Sequence, residues 1–413
     1  MENRECIISI KEHEYLPQEY FDRLKTVDFV GIPQDFMGEP KYLGIGKDFR
    51  ASYYIGTCWL TEYLTITILP KIENIDFIKM FLAALEVDSE ADYFAKCYKI
   101  DFDKPAIKTQ KNLNVLSPLL ILHFITLLEK IVKRGLKRGY IIKEENLKSK
   151  IKGRIVFTQH LQQNIFQKRD DRIYCRYQEY TFDIPENRLL KKALMFSEKV
   201  LERYESIKKQ SNYQDIKKRF IKLKQHFALV SDDIQVSQIQ NITANKLFVN
   251  YKSAVKVAKM ILRRFDYSIQ EAGKQEETTP PFWIDMARLF ELYVLYLLGG
   301  RSGNIEFQFP GYSGSTDFLK IDEQIIIDTK YKLDYNYDSN DIRQLSGYAR
   351  DRKILKKLGV TDEDNCEIQC LIIYPNKNGF PQLGDNLISE SIPIQEFRNF
   401  YKISVKLPVI EQL

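Results

Sequence analysis

Apolar and polar positions along the chain fall into three regimes. Up to about residue 105, short apolar runs alternate with turn formers. Residues 6–10, 42–46, 51–55, 58–60 and 64–69 read as strands, punctuated by Gly31, Pro33, Gly38, Pro40, Gly44, Gly46, Gly56 and Pro70. One helix is expected over 75–86. From residue 115 the apolar spacing becomes helical, with Leu119, Leu120, Leu122, Ile125, Leu127, Leu128 and Ile131 along 115–138, and further helices over 187–207, 216–230 and 247–265. Two short strands, 139–143 and 151–157, interrupt them. A polar loop with Gly273, Thr278, Thr279, Pro280 and Pro281 precedes the third regime. There, residues 284–298 form a helix apolar nearly all round, which must be buried. Strands at 305–309, 316–321, 324–330 and 368–374 complete a mixed sheet. The pattern predicts a multidomain α+β chain: a β-rich domain at 1–105, a mainly helical linker domain at 106–270 and an α/β domain at 271–413.

The most informative stretch is the strand pair around residue 322. The apolar runs of 316–321 and 324–330 flank Asp322-Glu323. If these two residues form the turn, 320 pairs with 325 and Asp317 falls opposite Asp328. Cross-strand partners have Cβ atoms about 4.5–5.5 Å apart, so the two carboxylates repel. A bound Mg²⁺ removes the objection, because Mg²⁺ is held by one or two carboxylates with waters and substrate phosphates. Lys330 lies two residues beyond Asp328 and projects from the same face. An ammonium there can orient an attacking water or stabilise charge on a phosphate.

A helix follows. Ser339, Asn340 and Asp341 offer N-caps, Ile342, Leu345, Ile354, Leu355 and Leu358 form its stripe, and Gly359 ends it. Gln344 and Tyr348 are four apart and share one face. Glu291 lies inside the buried helix 284–298. A buried carboxylate without a partner costs on the order of 2–7 kcal/mol or more. A metal or Lys330 would supply the partner, and so would a salt bridge to Arg288.

Composition adds limits. The 413 residues suffice for two or three domains, and 44% hydrophobic with 29% charged residues is ordinary for a soluble protein. No run of eighteen or more apolar residues exists, and the polar opening Met1-Glu2-Asn3-Arg4-Glu5 lacks a signal-peptide core. Six scattered cysteines fit reduced thiols in a cytoplasmic protein. Cys366 and Cys370, on one strand face, read as two buried thiols. The net charge of +6 is concentrated locally: Lys133, Arg134, Lys137, Arg138, Lys152 and Arg154 lie in one stretch, either a phosphate-contacting patch, a docking face for an acidic partner, or a solvated face. The four histidines make no visible metal site. No Gly-xxxx-Gly-Lys-Ser/Thr loop occurs, so nucleotide hydrolysis would need another chain.

Asp317, then Asp328-Thr329-Lys330, then Gln344 and Tyr348 resemble the PD-(D/E)xK nuclease core with the Gln-xxx-Tyr of its RecB-like branch. The flanks resemble the McrC family more closely, the nuclease subunit of the McrBC modification-dependent restriction system. The matching residues are Trp283-Ile284-Asp285-Met286 with Leu289-Phe290-Glu291, then Ile327 to Lys332, and Asp341 to Gln344. Upstream, Lys152 to Ile155, Glu179 to Asp183 and Asn187 to Leu190 agree as well. The resemblance covers about residues 130–375.

It implies a restriction-endonuclease-like α/β domain and a Mg²⁺-dependent DNA endonuclease, with Mn²⁺ as a substitute. Asp317, Asp328, the Thr329 carbonyl and in some members a helical Glu such as Glu291 would hold metal. Lys330 would act on the attacking water, and Gln344 and Tyr348 would position Lys330 or the DNA backbone. It further implies double-stranded, methylated DNA as substrate, an AAA+ hexameric GTPase as partner, GTP only through that partner, and paired complexes for double-strand cutting. A stand-alone RecB-like repair nuclease and a non-cleaving adaptor that activates the motor are the rival expectations.

Overall fold

The structure is a computed structural model that describes residues 6–31, 40–87, 93–101, 104–105, 107–109, 116–202, 213–234, 249–270, 277–300, 304–360, 368–384 and 386–409. Of the positions singled out in the sequence, Met1 to Glu5, Pro33, Gly38, Gly273 and Cys366 lie outside the described residues. The chain divides into two compact units: residues 1–115 with 274–413, and residues 116–273.

The first unit opens with β1 (Cys6–Lys11), β2 (Tyr54–Trp59), β3 (Leu64–Leu69), α1 (Phe77–Val87), β4 (Tyr98–Ile100) and β5 (Ile107–Thr109). Ile8, Ile10, Ile66 and Ile68 share one core with Leu43, Ile45 and Tyr54. On β2 and β3 the threonines bond among themselves, Thr67 Oγ1 to Thr57 Oγ1 at 3.2 Å and Thr57 Oγ1 to the Ile66 carbonyl at 3.0 Å. That satisfies their buried hydroxyls. The strand expected at 42–46 is instead a left-handed turn, with φ of +49° at Tyr42, +55° at Leu43 and +67° at Gly44. Ser52 Oγ donates to the Leu43 carbonyl at 3.0 Å and takes the place of a strand partner, while Leu43 and Ile45 are driven into the core.

The second unit holds α2 (Leu116–Arg134), β6 (Gly139–Lys148), β7 (Arg154–Ile155), β8 (Arg172–Thr181), α3 (Pro185–Leu201), α4 (Tyr213–His226) and α5 (Val249–Gln270). It is less purely helical than expected. β6 and β8 pair antiparallel over ten residues, Gly139↔Thr181 to Lys148↔Arg172, and β7 adds to β8. The strand expected at 139–143 is twice that length, and the one expected at 151–157 shrinks to two residues. The open face of β6 carries apolar side chains, with Tyr140 71% and Ile142 68% exposed, while the other face is half-buried. The alternation that betrays a half-buried strand is therefore absent, and the length comes from pairing with a strand the pattern does not reveal.

The chain then returns to the first unit with β9 (Glu277–Thr279), β10 (Phe282–Asp285), α6 (Met286–Leu297), β11 (Ile305–Pro310), β12 (Ser315–Lys320), β13 (Ile325–Thr329), α7 (Ser339–Tyr348), α8 (Arg352–Lys357), β14 (Gln369–Phe380), β15 (Ile392–Pro393) and β16 (Phe400–Val405). β9 pairs with β5. β10 inserts between β2 and β4, giving the order β1-β3-β2-β10-β4. The approach demands glycine at position 56, where a Cβ would stand 2.1 Å from the Phe282 carbonyl oxygen. Residues 282–285 thus belong to the sheet that β1 begins, and the helix expected from 284 starts at Met286. Asp285 caps it, its side chain accepting from the Arg288 amide at 3.0 Å. The N-terminal sheet thus includes residues from beyond the boundary expected near 271.

The second sheet has the order β11-β12-β13-β14-β16-β15. β13-β14 and β14-β16 are parallel and the other neighbours antiparallel. β13 carries Ile325, Ile326 and Ile327, each fully buried between layers, as a central strand requires. Leu319, Ile326, Cys370 and Ile372 pack against Ile342, Leu345, Tyr348, Ile354 and Leu358 of the two helices. The single helix expected from 339 to 359 breaks after Tyr348. Asp351 then caps α8 through the Lys353 and Ile354 amides. Both halves still direct their apolar stripe at the sheet.

Candidate active site

The ladder between β12 and β13 runs Lys320↔Ile325, Leu319↔Ile326 and Phe318↔Ile327. Carried one residue further, it sets Asp317 across from Asp328. There the backbone ladder gives way to side chains. Asp317 Oδ2 accepts from the Thr329 amide at 2.7 Å and from the Thr329 hydroxyl at 2.6 Å. Asp328 is 2% exposed. Its Oδ2 lies 2.7 Å from Lys330 Nζ, a charge-assisted contact.

Lys330 is fixed from three sides. Its amide donates to the Ile373 carbonyl of β14 at 2.9 Å. Its Nζ donates to Gln344 Oε1 at 3.1 Å and stands 3.6 Å from Asp341 Oδ1. Gln344 Nε2 in turn donates to Tyr348 Oη at 2.9 Å, and that hydroxyl donates to the Ser315 carbonyl at 2.8 Å. Gln344 and Tyr348 therefore form a strut from the start of β12 to the Lys330 ammonium. Asp341 is a residue whose position the sequence did not reveal. Asp338 rather than Asp341 caps α7, and Asp341 is buried, its Oδ2 accepting from Lys332 Nζ and from Tyr335 Oη, each at 3.0 Å. Its place three residues before Gln344, hence on the same face, was the available signal.

Glu291 is 6% exposed on α6. Its side-chain partners are neither Lys330 nor Arg288, the two residues expected from sequence. Tyr93 Oη donates to Oε2 at 2.6 Å, and Gln308 Nε2 donates to Oε1. Arg288 pairs with Asp285, Nε to Oδ2 at 3.4 Å. Tyr93 precedes β4 and Gln308 lies in β11, far from Glu291 in sequence, so no local pattern announces them.

Burial dominates the electrostatics. It pushes the Asp328 carboxyl up to about 7, helped by the charge of Asp317 and opposed by Lys330. It raises Asp317 against the bonds from Thr329. It also raises Glu291 well above the carboxylate range, with Asp317 adding to the effect. Burial works against the Lys330 ammonium too, but Asp328, Asp341 and Asp317 hold its pKa above the ordinary value. Asp317, Asp328 and Glu291 are all raised by burial, and with the Lys330 ammonium beside Asp328 they are short of positive charge. The donor set fits a hard divalent cation: two facing buried carboxylates beside the backbone of Thr329. Among the described residues no three His, Cys, Asp or Glu side chains converge on one point, so waters and a phosphate would complete such a shell.

The sequence-derived basic residues belong to the second unit. Lys133, Arg134, Lys152 and Arg154 are exposed. Lys137 pairs with Glu186 at 2.8 Å, Arg138 stacks 4.0 Å over the Phe182 ring, and Lys152 stands 4.9 Å over Tyr177. Cys370 is a buried free thiol. Among the described residues no helix is long and apolar enough to cross a membrane.

A search of curated proteins finds no match. Among solved structures, the chain resembles a half-complex from the tetradecameric assembly of Thermococcus gammatolerans McrB AAA+ hexamers with bound McrC. The identity is 14%, covering 98% of this chain and 95% of that one at a TM-score of 0.39. It also resembles a chain of the Thermococcus gammatolerans McrBC complex, at 15% identity, 71% and 87% coverage and a TM-score of 0.31. The family model described as McrBC 5-methylcytosine restriction system component matches residues 49–357. That match spans well over half of the 413 residues, and the chain belongs to this family of McrBC 5-methylcytosine restriction system components.

Proposed function

We propose that this chain is the McrC-like nuclease subunit of a modification-dependent restriction system, a Mg²⁺-dependent DNA endonuclease with a PD-(D/E)xK centre. The carrying observation is the Asp328 carboxylate, buried opposite Asp317 with Lys330 Nζ 2.7 Å from its Oδ2. A purely structural hairpin has no reason to bury two facing carboxylates.

Asp317, Asp328 and the Thr329 carbonyl would hold Mg²⁺. Bound there, the cation supplies a Lewis acid that stabilises charge on the phosphate and the leaving oxygen. Lys330 directs the attacking water and stabilises charge developing on the phosphate oxygens. Gln344 and Tyr348 keep the ammonium in that place, and the surrounding isoleucines keep bulk water from screening it. The exposed Lys133, Arg134, Lys152 and Arg154 contact DNA phosphates. Nucleotide hydrolysis and reading of the modified base belong to a partner, an AAA+ GTPase hexamer that this chain stimulates. Two complexes meeting on DNA would cut both strands.

The test is cleavage of methylated and unmethylated plasmid with Mg²⁺, using this chain with its AAA+ partner and GTP, beside Asp328→Ala. Cutting that requires methylation, nucleotide and Asp328 supports the proposal. Cutting by the chain alone, indifferent to methylation and GTP, replaces it with a repair nuclease. Stimulated nucleotide hydrolysis without cutting leaves an adaptor.

A further inference from the structure

We infer that Gln308 and Tyr93 are positioning residues that clamp Glu291 beside Asp317, so that Glu291 serves the cation site through its water shell. This rests on the nuclease reading above.

The backbone at Gln308 is the first observation. β11 and β12 pair Phe307↔Phe318 and Phe309↔Thr316, with no register shift between them. Gln308 therefore lies across from Asp317. Yet its φ is +53°, a left-handed value inside a continuing ladder. Neither a turn nor an inserted residue accounts for it, and glycine would hold that conformation without strain. A strained residue that persists in a regular element is held by its surroundings, and such residues gather at functional sites. What the twist achieves is visible: it brings the Gln308 amide to Glu291 Oε1 and within 3.4 Å of Tyr93 Oη.

The second observation is the completeness of the clamp. Tyr93 Oη takes the other oxygen of Glu291 at 2.6 Å, and the Tyr93 ring is braced edge-on by Phe307, the residue before Gln308, with centroids 5.0 Å apart. Each Glu291 oxygen thus has one fixed neutral donor and spare acceptor capacity. Since no third acidic group converges with Asp317 and Asp328 among the described residues, Glu291 is not placed as a direct ligand. A buried carboxylate whose clamping residue faces Asp317 across the ladder is placed to accept from waters of a cation that keeps several of them. Outer-shell partners of this kind typically change metal affinity or activity by roughly 10–100-fold.

The test uses the full-length chain with Mn²⁺ alone as probe, by calorimetric titration without DNA, alongside plasmid cleavage with the partner. The variants are Tyr93→Phe, Gln308→Asn and Glu291→Ala, with each of the first two also placed in the Glu291→Ala background. Asn tolerates the left-handed backbone but is one methylene too short to reach. Tyr93→Phe and Gln308→Asn should each weaken Mn²⁺ binding and cleavage roughly tenfold. In the Glu291→Ala background neither should cost anything further, because both act through Glu291. Losses that multiply in that background, or single variants that bind Mn²⁺ and cleave as wild type, overturn the clamp. Should Asp328→Ala cleave like wild type, the nuclease reading fails, and the Mn²⁺ titrations still decide whether the clamp exists. Melting curves identify any variant that fails to fold, and Tyr93→Phe, which removes one oxygen, carries the test if Gln308→Asn does.

Discussion

Lys330 Nζ and Gln344 Oε1 meet at 3.1 Å between the end of β13 and the middle of α7. Through Gln344 Nε2 and the Tyr348 hydroxyl the contact continues to the Ser315 carbonyl. The ammonium is thereby referred to the same strand that carries Asp317. Gln344→Ala should leave the fold intact and lower kcat roughly tenfold with KM for DNA unchanged. Tyr348→Phe should act in the same direction, since it removes the acceptor that orients the Gln344 amide. Steady-state cleavage kinetics check both. A rise in KM at constant kcat would instead make Gln344 a DNA-backbone contact.

Asp328 and Asp317 face each other in a site short of positive charge. Without metal, Asp328→Ala relieves that repulsion at the cost of one neighbour of Lys330, which keeps Asp341. The metal-free melting temperature should therefore be held or raised. Added Mg²⁺ at about a hundred times its dissociation constant stabilises the wild type by roughly 2.7 kcal/mol, a shift of several degrees, and should not stabilise Asp328→Ala. Thermal melts with and without Mg²⁺ separate the two. An equal Mg²⁺ shift in both proteins removes Asp328 from the metal site.

The hairpin was legible in the sequence because two apolar runs flank a polar pair, and a turn at that pair sets the register that β12 and β13 adopt. The elements that were not legible share a physical cause: their partners are remote. β10 looks like the first turn of an apolar helix until β2 is available to pair with it. β6 doubles in length because β8 lies beside it. Glu291 is a buried acid by its helix position alone, but the donors that satisfy it arrive from Tyr93 and Gln308, on other elements. The break between α7 and α8 is the exception. Its apolar stripe continues across the break, and the cap, Asp351, reads as one more polar surface position.

Asp351 bears more than the cap. Its Oδ1 accepts from the Lys353 and Ile354 amides, and its Oδ2 from the Tyr312 and Ser313 amides and the Ser313 hydroxyl. It thus ties the loop that launches β12 to the start of α8. A Cβ at Gly311 would stand 2.6 Å from Oδ2, so the loop is built around the carboxylate. Asp351→Ala loses the cap and leaves the loop amides without their acceptor, and should destabilise by about 2 kcal/mol or more. Urea unfolding measures the loss, and Asp351→Asn, which keeps an acceptor oxygen, should recover part of it. Full stability of the alanine variant would deny the tie.

Glu12 and Lys71 set a pH dependence away from the site. Glu12 is 3% exposed. Its Oε2 accepts from the Lys71 amide at 2.9 Å and from Tyr331 Oη at 3.3 Å, while Oε1 is buried without a partner. Lys71 Nζ donates to the Tyr331 carbonyl at 2.5 Å and stands 3.7 Å over its ring. Burial raises Glu12 to about 7 and lowers Lys71 to about 8. Between the ordinary carboxylate range and about 7, the folded chain keeps a proton that the unfolded chain has released, so stability falls as pH rises through that window. Above about 8 the unfolded chain holds a proton on Lys71 that the folded chain lacks, and stability rises again toward the ordinary lysine value. Glu12→Gln removes the first slope, worth at most roughly 3 kcal/mol, and should gain stability over the wild type as pH goes from 5 to 7. Urea unfolding of both proteins at the two pH values measures this, and a difference between them that does not change with pH means that Glu12 does not titrate in the window.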